Sequence, residues 1–243
     1  MSNLVIHPIP LVKGLNETSK MTYGFNFGKS FDYTAYVWYI SGAEDRILVD
    51  GGASIDYLRN VRGVMADEVK SIKAGLGELG LSLKDIDLII ATHLHHDHIA
   101  QASQFPKARV IVQRKELEFA RNPHPSCIGH FDAQFLEGLK FEIIEGDARI
   151  CEGISVFSTP GHTPGGQSVS VQTAKGNAVI CGMCTIKENF YPPAPISDRM
   201  PVITPGILTN TLEAYDSALK IKEMADIIVT LHDSEFREKK SIP

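Results

Sequence analysis

The stretch Ala91-Thr92-His93-Leu94-His95-His96-Asp97-His98 decides how the rest of the sequence is interpreted, because it holds four of the nine histidines of the chain. It begins where a strand predicted at residues 87–91 ends. Imidazole and carboxylate groups are common ligands of Zn²⁺ and similar divalent ions. A strand that ends in a loop can bring such groups to one point. The pattern therefore predicts a metal site rather than a solvated histidine-rich turn.

Two further histidines occupy equivalent places, each just beyond the end of a predicted strand. His162 follows the strand predicted at Ile154–Ser158, and His232 follows the strand predicted at 226–231. Sites in α/β sheets form outside the carboxyl ends of strands. Three separated strand ends that carry histidine therefore indicate one shared site.

Predicted strands alternate with predicted helices along the chain. Residues 33–49 are predicted as a hairpin, residues 56–79 as one or two helices, and residues 205–224 as an amphipathic helix. Further strands are predicted at 109–112, 141–144, 167–172 and 178–181. This order predicts an α/β (α+β) protein whose sheets are covered by helices. With 243 residues and no visible linker, we expect a single domain over 1–243.

The charge balance and the cysteine count limit the partners. The chain carries 24 Lys+Arg against 29 Asp+Glu, a net charge of -5, whereas nucleic-acid binders usually show a basic surface. No apolar run approaches the roughly 20 residues that span a bilayer, and no secretory signal is visible. The four cysteines suit a reducing compartment. We expect a cytoplasmic protein that acts on a small molecule, not on nucleic acid or membranes.

Together these motifs resemble the metallo-β-lactamase superfamily. The matching elements are Asp50-Gly51-Gly52, His93-x-His95-x-Asp97-His98, Thr159-Pro160-Gly161-His162-Thr163-Pro164-Gly165 and His232-Asp233. The resemblance implies a four-layer αββα sandwich with a metal site at one edge between the sheets. It also implies two ligand sets, which are His93, His95 and His162 for one metal, and Asp97, His98 and His232 for the other. The ions would be one or two Zn²⁺, with Mn²⁺ or Fe²⁺ as alternatives.

The resemblance further implies hydrolysis. A metal-bound water would lose a proton near neutral pH and attack a carbonyl or phosphoryl centre. Asp97 is expected to orient that water or to shuttle its proton. Asp50 and Asp233 are candidates to hold the second ring nitrogen of a ligand histidine.

Within the superfamily, residues 153–167 and the tetrapeptide Lys187-Glu188-Asn189-Phe190 are most similar to the N-acyl-homoserine lactone lactonase branch. This similarity implies a hydrolase that opens a small cyclic ester or amide. That branch places an Asp that bridges both metals just before the tetrapeptide and a Tyr a few residues after that Asp, and residues 178–186 of this chain contain neither. Its corresponding residues are Met183-Cys184-Thr185-Ile186. Cys184 is the better candidate to replace the Asp, because thiolate binds Zn²⁺ well and thioether binds hard cations poorly. The alternative is that Met183 and Cys184 both pack in the core.

Two other functions stay open. Residues 182–187, Gly-Met-Cys-Thr-Ile-Lys, are similar to a Gly-Gly-Cys-x-x-Lys stretch of cysteine-bearing metallo-β-lactamases, where Cys binds zinc and Lys holds a substrate carboxylate. That similarity implies a hydrolase of β-lactams or other carboxylate-bearing cyclic amides that uses Cys184 and Lys187. The missing Asp could instead mark a non-catalytic protein that binds metal and ligand.

Five residues in segments around the predicted site are candidate substrate contacts. They are Lys187, Phe25, His124, His130 and Tyr191. The aromatic segment 23–27 near the N-terminus is also a candidate contact for a homodimer.

Overall fold

Two β-sheets pack face to face in the computed structural model, which describes residues 4–243. The strands of the first sheet are β1 (Val5–Glu17), β2 (Ser30–Ser41), β3 (Ile47–Val49), β4 (Ala66–Glu68), β5 (Leu88–Ile90), β6 (Arg109–Gln113) and β7 (Lys140–Ile144). Their spatial order is β4-β1-β2-β3-β5-β6-β7. The strands of the second sheet are β8 (Ala148–Cys151), β9 (Ile154–Ser158), β10 (Gln167–Thr173), β11 (Gly176–Ile180) and β12 (Ile227–Val229). Their order is β12-β11-β10-β9-β8.

Helices connect the strands and cover the outer faces of both sheets. They are α1 (Ile55–Asn60), α2 (Ile72–Glu78), α3 (His96–Ile99), α4 (Arg114–Arg121), α5 (Lys187–Phe190) and α6 (Thr211–Met224). Side-chain caps mark several starts: Ser54 accepts from the N–H of Tyr57 in α1, and Ser71 accepts from the N–H of Ala74 in α2. Among residues 4–243, no helix has both the length and the apolar character that crossing a membrane requires.

Successive side chains along the central strands point to opposite faces of the sheet and pack in two different hydrophobic cores. In β5, Leu88 and Ile90 pack between the sheets, whereas Ile89 packs on the outer face against the layer that contains α1, α2 and α4. On the far side, Val179 of β11 packs with Ile221 of α6. The layers are thus helix, sheet, sheet and helix, which confirms the predicted αββα sandwich.

Residues 56–79 form two helices that are separated by a strand. α1 ends at Asn60, α2 begins at Ile72, and β4 lies between them, paired antiparallel with β1. Gly63 has a φ of +64°, a left-handed conformation that interrupts a helix. Apolar spacing could not reveal β4, because its three residues are stabilised by pairing with a strand that is distant in sequence.

β1 has no counterpart among the predicted strands. It pairs with β2 from Val5 to Glu17, whereas its pairing with β4 covers only Val12 to Gly14. Pro8 and Pro10 weaken the sequence signal of a strand, but the sheet tolerates them where β1 has a neighbour on one side. β8 was also missed; it forms an antiparallel pair with β9.

The predicted helix 205–224 begins later, at Thr211. The Asn210 side chain accepts hydrogen bonds from the N–H groups of Leu212 and Glu213, and so caps the helix. The residues before it are irregular, and the Ile207 carbonyl oxygen accepts a hydrogen bond from His162. The segment is therefore used to hold a predicted metal ligand instead of extending α6.

Gly161 in the loop after β9 allows a close approach to α6, which gives a first prediction. Its φ is +118°, and a Cβ there would overlap the backbone of Ala214. Gly161→Ala should lower the free energy of unfolding by roughly 2–4 kcal/mol, because it combines backbone strain with overpacking. Chemical denaturation of the purified variant measures this loss.

Gly77→Ala is the matched control for that variant. Gly77 lies in α2, and a Cβ there would meet no atom within 4 Å. This variant should gain about 0.5–1 kcal/mol from helix propensity. Equal stabilities of the two variants would contradict the close contact at Gly161.

Candidate metal centre

Three loops bring the predicted ligands to one cavity between the sheets. The loop after β5 and the first turn of α3 carry four of them, the β9–β10 loop carries His162, and His232 lies shortly after β12. Their ligand atoms form two groups, and within each group all atoms lie within 4.8 Å of one another. The groups are His93, His95 and His162, and Asp97, His98 and His232.

His93 and His162 direct bare ring nitrogens at each other. His162 Nδ1 donates a hydrogen bond to the carbonyl oxygen of Ile207 at 2.6 Å. The Thr92 hydroxyl donates to Asp50, so it accepts from His93 Nδ1 at 3.0 Å. Both protons are therefore on Nδ1, and the two Nε2 lone pairs lie 3.2 Å apart. Such lone pairs repel, whereas two ligands on a tetrahedral Zn²⁺ lie roughly 3.3 Å apart, so this donor set fits a metal ion.

Asp50 orients a histidine of the second group. Its Oδ2 lies 2.7 Å from His98 Nδ1, and its Oδ1 accepts from the N–H of Thr92 at 2.7 Å. The carboxylate is fully buried, and Asp50 has a left-handed φ of +67°. These hydrogen bonds offset the cost of that conformation. The predicted support of a ligand histidine by Asp50 is confirmed.

Asp233, the other residue predicted to support a ligand histidine, has different partners. Its Oδ2 accepts from the Thr230 hydroxyl at 2.8 Å and from the backbone N–H of Lys187. His232 Nδ1 instead donates to the carbonyl oxygen of Thr34 at 3.3 Å. The prediction for Asp233 was wrong, because its carboxylate anchors the start of α5.

Burial keeps the histidines of the first group in the neutral form that binds metals. It lowers the pKa of His93 and of His95 well below the ordinary value, and neighbouring imidazoles lower both further. Burial likewise lowers the pKa of His162 to about 4. In the second group, burial lowers the pKa of His232 to about 3.

Asp97 and His98 form a charged pair at the second group. Burial is the largest single effect and opposes the charge on both, but the mutual attraction outweighs it together with the other histidines around Asp97 and with Asp50 beside His98. The pKa of Asp97 therefore lies well below its usual range, and the pKa of His98 is raised by Asp97 and Asp50. His98 Nε2 lies 3.5 Å from Asp97 Oδ2. A divalent cation bound here would displace the proton of His98.

Tyr33 on β2 belongs to the site, although it was not among the residues predicted there. Its hydroxyl donates to Asp97 Oδ2 at 2.8 Å, and its ring stacks on His232 with centroids 4.7 Å apart. Burial raises the pKa of Tyr33 well above the ordinary value, and Asp97 raises it further. The phenol therefore stays neutral and acts as a donor. In sequence Tyr33 is one aromatic residue of a strand-forming run, and no local signal distinguishes it from its neighbours.

Glu116 on α4 ties two ligand loops together. Its side chain is fully buried, and Oε1 accepts from the N–H of Leu94 at 2.9 Å while Oε2 accepts from the N–H of Gly165 at 3.1 Å. Leu94 lies between two ligands of the first group, and Gly165 lies three residues after the third. A Cβ on Gly165 would overlap the backbone of Glu116, so glycine is needed for this contact.

Cys184 lines the cavity but stands apart from both ligand groups in the described part of the chain. Its thiol donates to the sulfur of Met21 at 3.3 Å. Burial raises the pKa of the Cys184 thiol well above its usual value, with a further contribution from Asp97. Met183 is buried in the core beneath α6, so the structure places its thioether among apolar side chains.

The five predicted substrate contacts do not lie together. His130 lines the cavity, with its ring 4.9 Å from the ring of His95. The other four lie elsewhere: Phe25 in an apolar groove beside α6, Lys187 and Tyr191 in a depression beside β12, and His124 on an exposed loop where it contacts Ser126. Lys187 begins α5, where its backbone N–H donates to Asp233, and it is absent from the lining of the metal cavity.

Replacement of Glu116 tests whether its two hydrogen bonds keep the ligand-bearing loops in position. Glu116→Gln puts an NH₂ group against one of the two backbone N–H groups, so the loops should shift and zinc affinity should fall about 10- to 100-fold. Competition with a chelator measures this affinity. Glu118→Gln, on the exposed side of the same helix, should bind zinc like the wild type. Unchanged affinity in Glu116→Gln would show that the loops hold their positions without the carboxylate.

Known proteins share both the sequence pattern and the fold. Residues 32–225 match the model of the metallo-β-lactamase superfamily. An N-acyl homoserine lactonase of Bacillus sp is 30% identical over 187 residues, which cover 70% of this chain and 72% of that protein. The N-acyl homoserine lactonase of Bacillus thuringiensis is 28% identical over 244 residues, which cover 93% of this chain and 92% of that protein.

Solved structures agree with these relatives. A quorum-quenching N-acyl homoserine lactone lactonase superposes with a TM-score of 0.79 and 26% sequence identity. The superposition covers 98% of this chain and 95% of the lactonase chain. An N-acyl homoserine lactone hydrolase with N-hexanoyl-L-homoserine bound at its catalytic metal centre superposes with a TM-score of 0.79 and 25% sequence identity. That superposition covers 98% of this chain and 96% of the hydrolase chain. The chain belongs to the metallo-β-lactamase superfamily and has N-acyl homoserine lactonases as relatives.

Proposed function

We propose that this protein is a metal-dependent hydrolase that opens the ring of a small lactone. The observation that carries the proposal is the pair of bare Nε2 atoms of His93 and His162, 3.2 Å apart in a buried cavity, with a second ligand group beside them. The lactonase relatives support the substrate class. We propose Zn²⁺ as the ion, because a set of imidazoles and one carboxylate suits it. Bound divalent ions would polarise the ring carbonyl and lower the pKa of water.

Asp97 is the residue that handles protons in this proposal. It is ionised, and the Tyr33 hydroxyl holds one of its oxygens at 2.8 Å. Asp97 accepts the proton of the attacking water and returns it to the ring oxygen that leaves when the ester bond breaks. Tyr33 keeps the carboxylate oriented for both transfers. The product is a hydroxy acid, so atoms and protons balance.

The position of Lys187 argues against the alternative function, which is hydrolysis of a β-lactam or another cyclic amide whose carboxylate Lys187 would bind. Lys187 lines the depression beside β12, whereas the ligand groups line the cavity between the sheets. A carboxylate held by Lys187 would therefore lie outside the cavity that contains the histidines. Ring opening of a lactone does not need such a contact.

We also propose that residues 1–243 act as one hydrolase domain in the cytoplasm. The four free cysteines support a reducing compartment. A homodimer through the apolar groove beside α6 is a further proposal. Tyr23 and Leu212 in that groove are 50% and 77% exposed, and apolar surface of this kind favours association.

The metal content tests the two ligand groups. Because each group supplies three ligands without Cys184, the wild type should bind two equivalents of zinc, and Cys184→Ser should keep both. Elemental analysis of the dialysed proteins measures the ratio. A fall to one equivalent in Cys184→Ser would instead make the thiolate a ligand, and one equivalent in both proteins would contradict a dinuclear centre.

Loss of the proton-handling carboxylate tests the mechanism. Asp97→Asn in the zinc-loaded protein should lower kcat for N-hexanoyl homoserine lactone about 10²- to 10⁴-fold, the usual contribution of general acid–base catalysis. Release of acid during ring opening measures the rate. Asp198→Asn, on an exposed segment, is the matched control. Wild-type protein that binds zinc but hydrolyses no lactone would favour a non-catalytic binder.

A further inference from the structure

The mouth of the metal cavity carries an unusual concentration of positive charge. The cavity, of about 280 Å³, opens into a wider groove of about 1090 Å³, and the two share residues of the β1 and α1–β4 segments. We call this wider space the entrance groove. Its basic residues are Lys13, Lys20, Arg59, Arg62 and Arg237, and its acidic residues are Asp32 and Asp67.

Three of the five basic side chains form no ion pair within 4.0 Å among the described residues, although the charge of Lys20 acts on Glu17. Arg59 pairs with Asp67, and Arg237 pairs with Asp32 at 2.7 Å. Among residues 4–243, no carboxylate lies within 4.0 Å of the charged nitrogens of Lys13, Lys20 and Arg62. The chain as a whole has a net charge of -5. The entrance groove therefore reverses the overall charge and would attract anions.

Arg62 and Lys20 are the two of these cations that reach the metal cavity itself. The Arg62 guanidinium lies across Gly129, 3.2 Å from where a Cβ would be, so the absence of a side chain there makes room for it. Both cations line the same cavity as the two ligand groups.

The same wall contains a polar atom without a partner in the described structure. His96 lines the cavity and is 8% exposed, and its Nδ1 is buried with no hydrogen-bond partner. A buried polar atom of this kind is costly unless a ligand or water satisfies it. Apolar side chains border the entrance as well. Leu15 and Met65 are 77% and 92% exposed.

We infer that the substrate is a lactone whose side arm ends in a carboxylate, which Arg62 and Lys20 bind at the mouth of the cavity while the ring lies at the ligand groups. The inference rests on the proposed lactonase function and names its substrate class. The guanidinium group matches a carboxylate through two parallel hydrogen bonds, and Lys20 adds a point charge. Leu15 and Met65 contact the alkyl part of the arm. Arg62 and Lys20 thus determine specificity and take no part in bond breaking.

A matched pair of substrates tests the inference. N-hexanoyl homoserine lactone and N-adipoyl homoserine lactone have acyl chains of six carbons, and only the second ends in a carboxylate. Zinc-loaded wild type should show a kcat/KM about tenfold higher for the adipoyl compound, as expected for a charge-assisted hydrogen bond. This preference should shrink in 0.5 M salt, because the pair is exposed to solvent.

The variant carrying both Lys20→Ala and Arg62→Ala should lose the preference. Its kcat/KM for the adipoyl compound should fall about tenfold, while that for the hexanoyl compound stays near the wild-type value and shows that the protein is folded. A control variant carrying both Lys73→Ala and Lys175→Ala removes an equal charge from exposed sites on α2 and on the β10–β11 turn and should leave both values unchanged. Calorimetry of the two ring-opened products provides a readout that does not require turnover.

The outcomes separate the two proposals. Equal kcat/KM for both lactones in the wild type would overturn the inference and leave the lactonase function intact. Hydrolysis of neither lactone would overturn the proposed function. In that case calorimetry still decides the inference, because equal affinity for the two products would contradict a carboxylate site at the entrance groove.

Discussion

Repulsion between buried imidazole lone pairs is the constraint on which the rest of the structure depends. His93 and His162 direct bare Nε2 atoms at each other from loops that belong to different sheets, 3.2 Å apart. At this buried position, such an arrangement is unfavourable unless a cation lies between the nitrogens. The surrounding protein must therefore hold the rings rigidly in a geometry that becomes favourable when a metal is bound. This preorganisation explains why so many fixed hydrogen bonds converge on the site.

The groups that hold the rings come from distant parts of the chain. Ile207 lies before α6, Asp50 follows β3, and Glu116 lies on α4. Each of them uses a backbone or carboxylate oxygen that local structure leaves free, as at Asp50, where the left-handed backbone directs the carboxylate into the site. Such supports orient the ligands and keep their protons on the correct nitrogen. The late start of α6 and the strained backbone at Asp50 are therefore consequences of the metal centre.

The electrostatic character of the cavity changes from its floor to its mouth. At the floor, five buried imidazoles and one carboxylate suit a divalent cation. At the mouth, Arg62 and Lys20 form no ion pair within the described residues, although the chain is acidic overall. A neutral acyl chain would form no ion pair with these charges. The proposed lactone chemistry therefore lies at the floor of the cavity, and the inferred specificity for a carboxylate lies at its mouth.

The sequence by itself indicated a shared metal site, because histidines just after apolar strands are a local signal, and its resemblance to the metallo-β-lactamase superfamily implied the αββα layers and the six ligand candidates. It also indicated Asp50 as a support. It did not reveal Tyr33, Glu116, Arg62 or Lys20, and it directed attention to Lys187, which lies outside the cavity. These residues are ordinary strand, helix or surface residues in sequence. Their roles arise only when two sheets pack together and bring side chains from distant segments to one cavity, because a contact across the fold leaves no trace in local spacing.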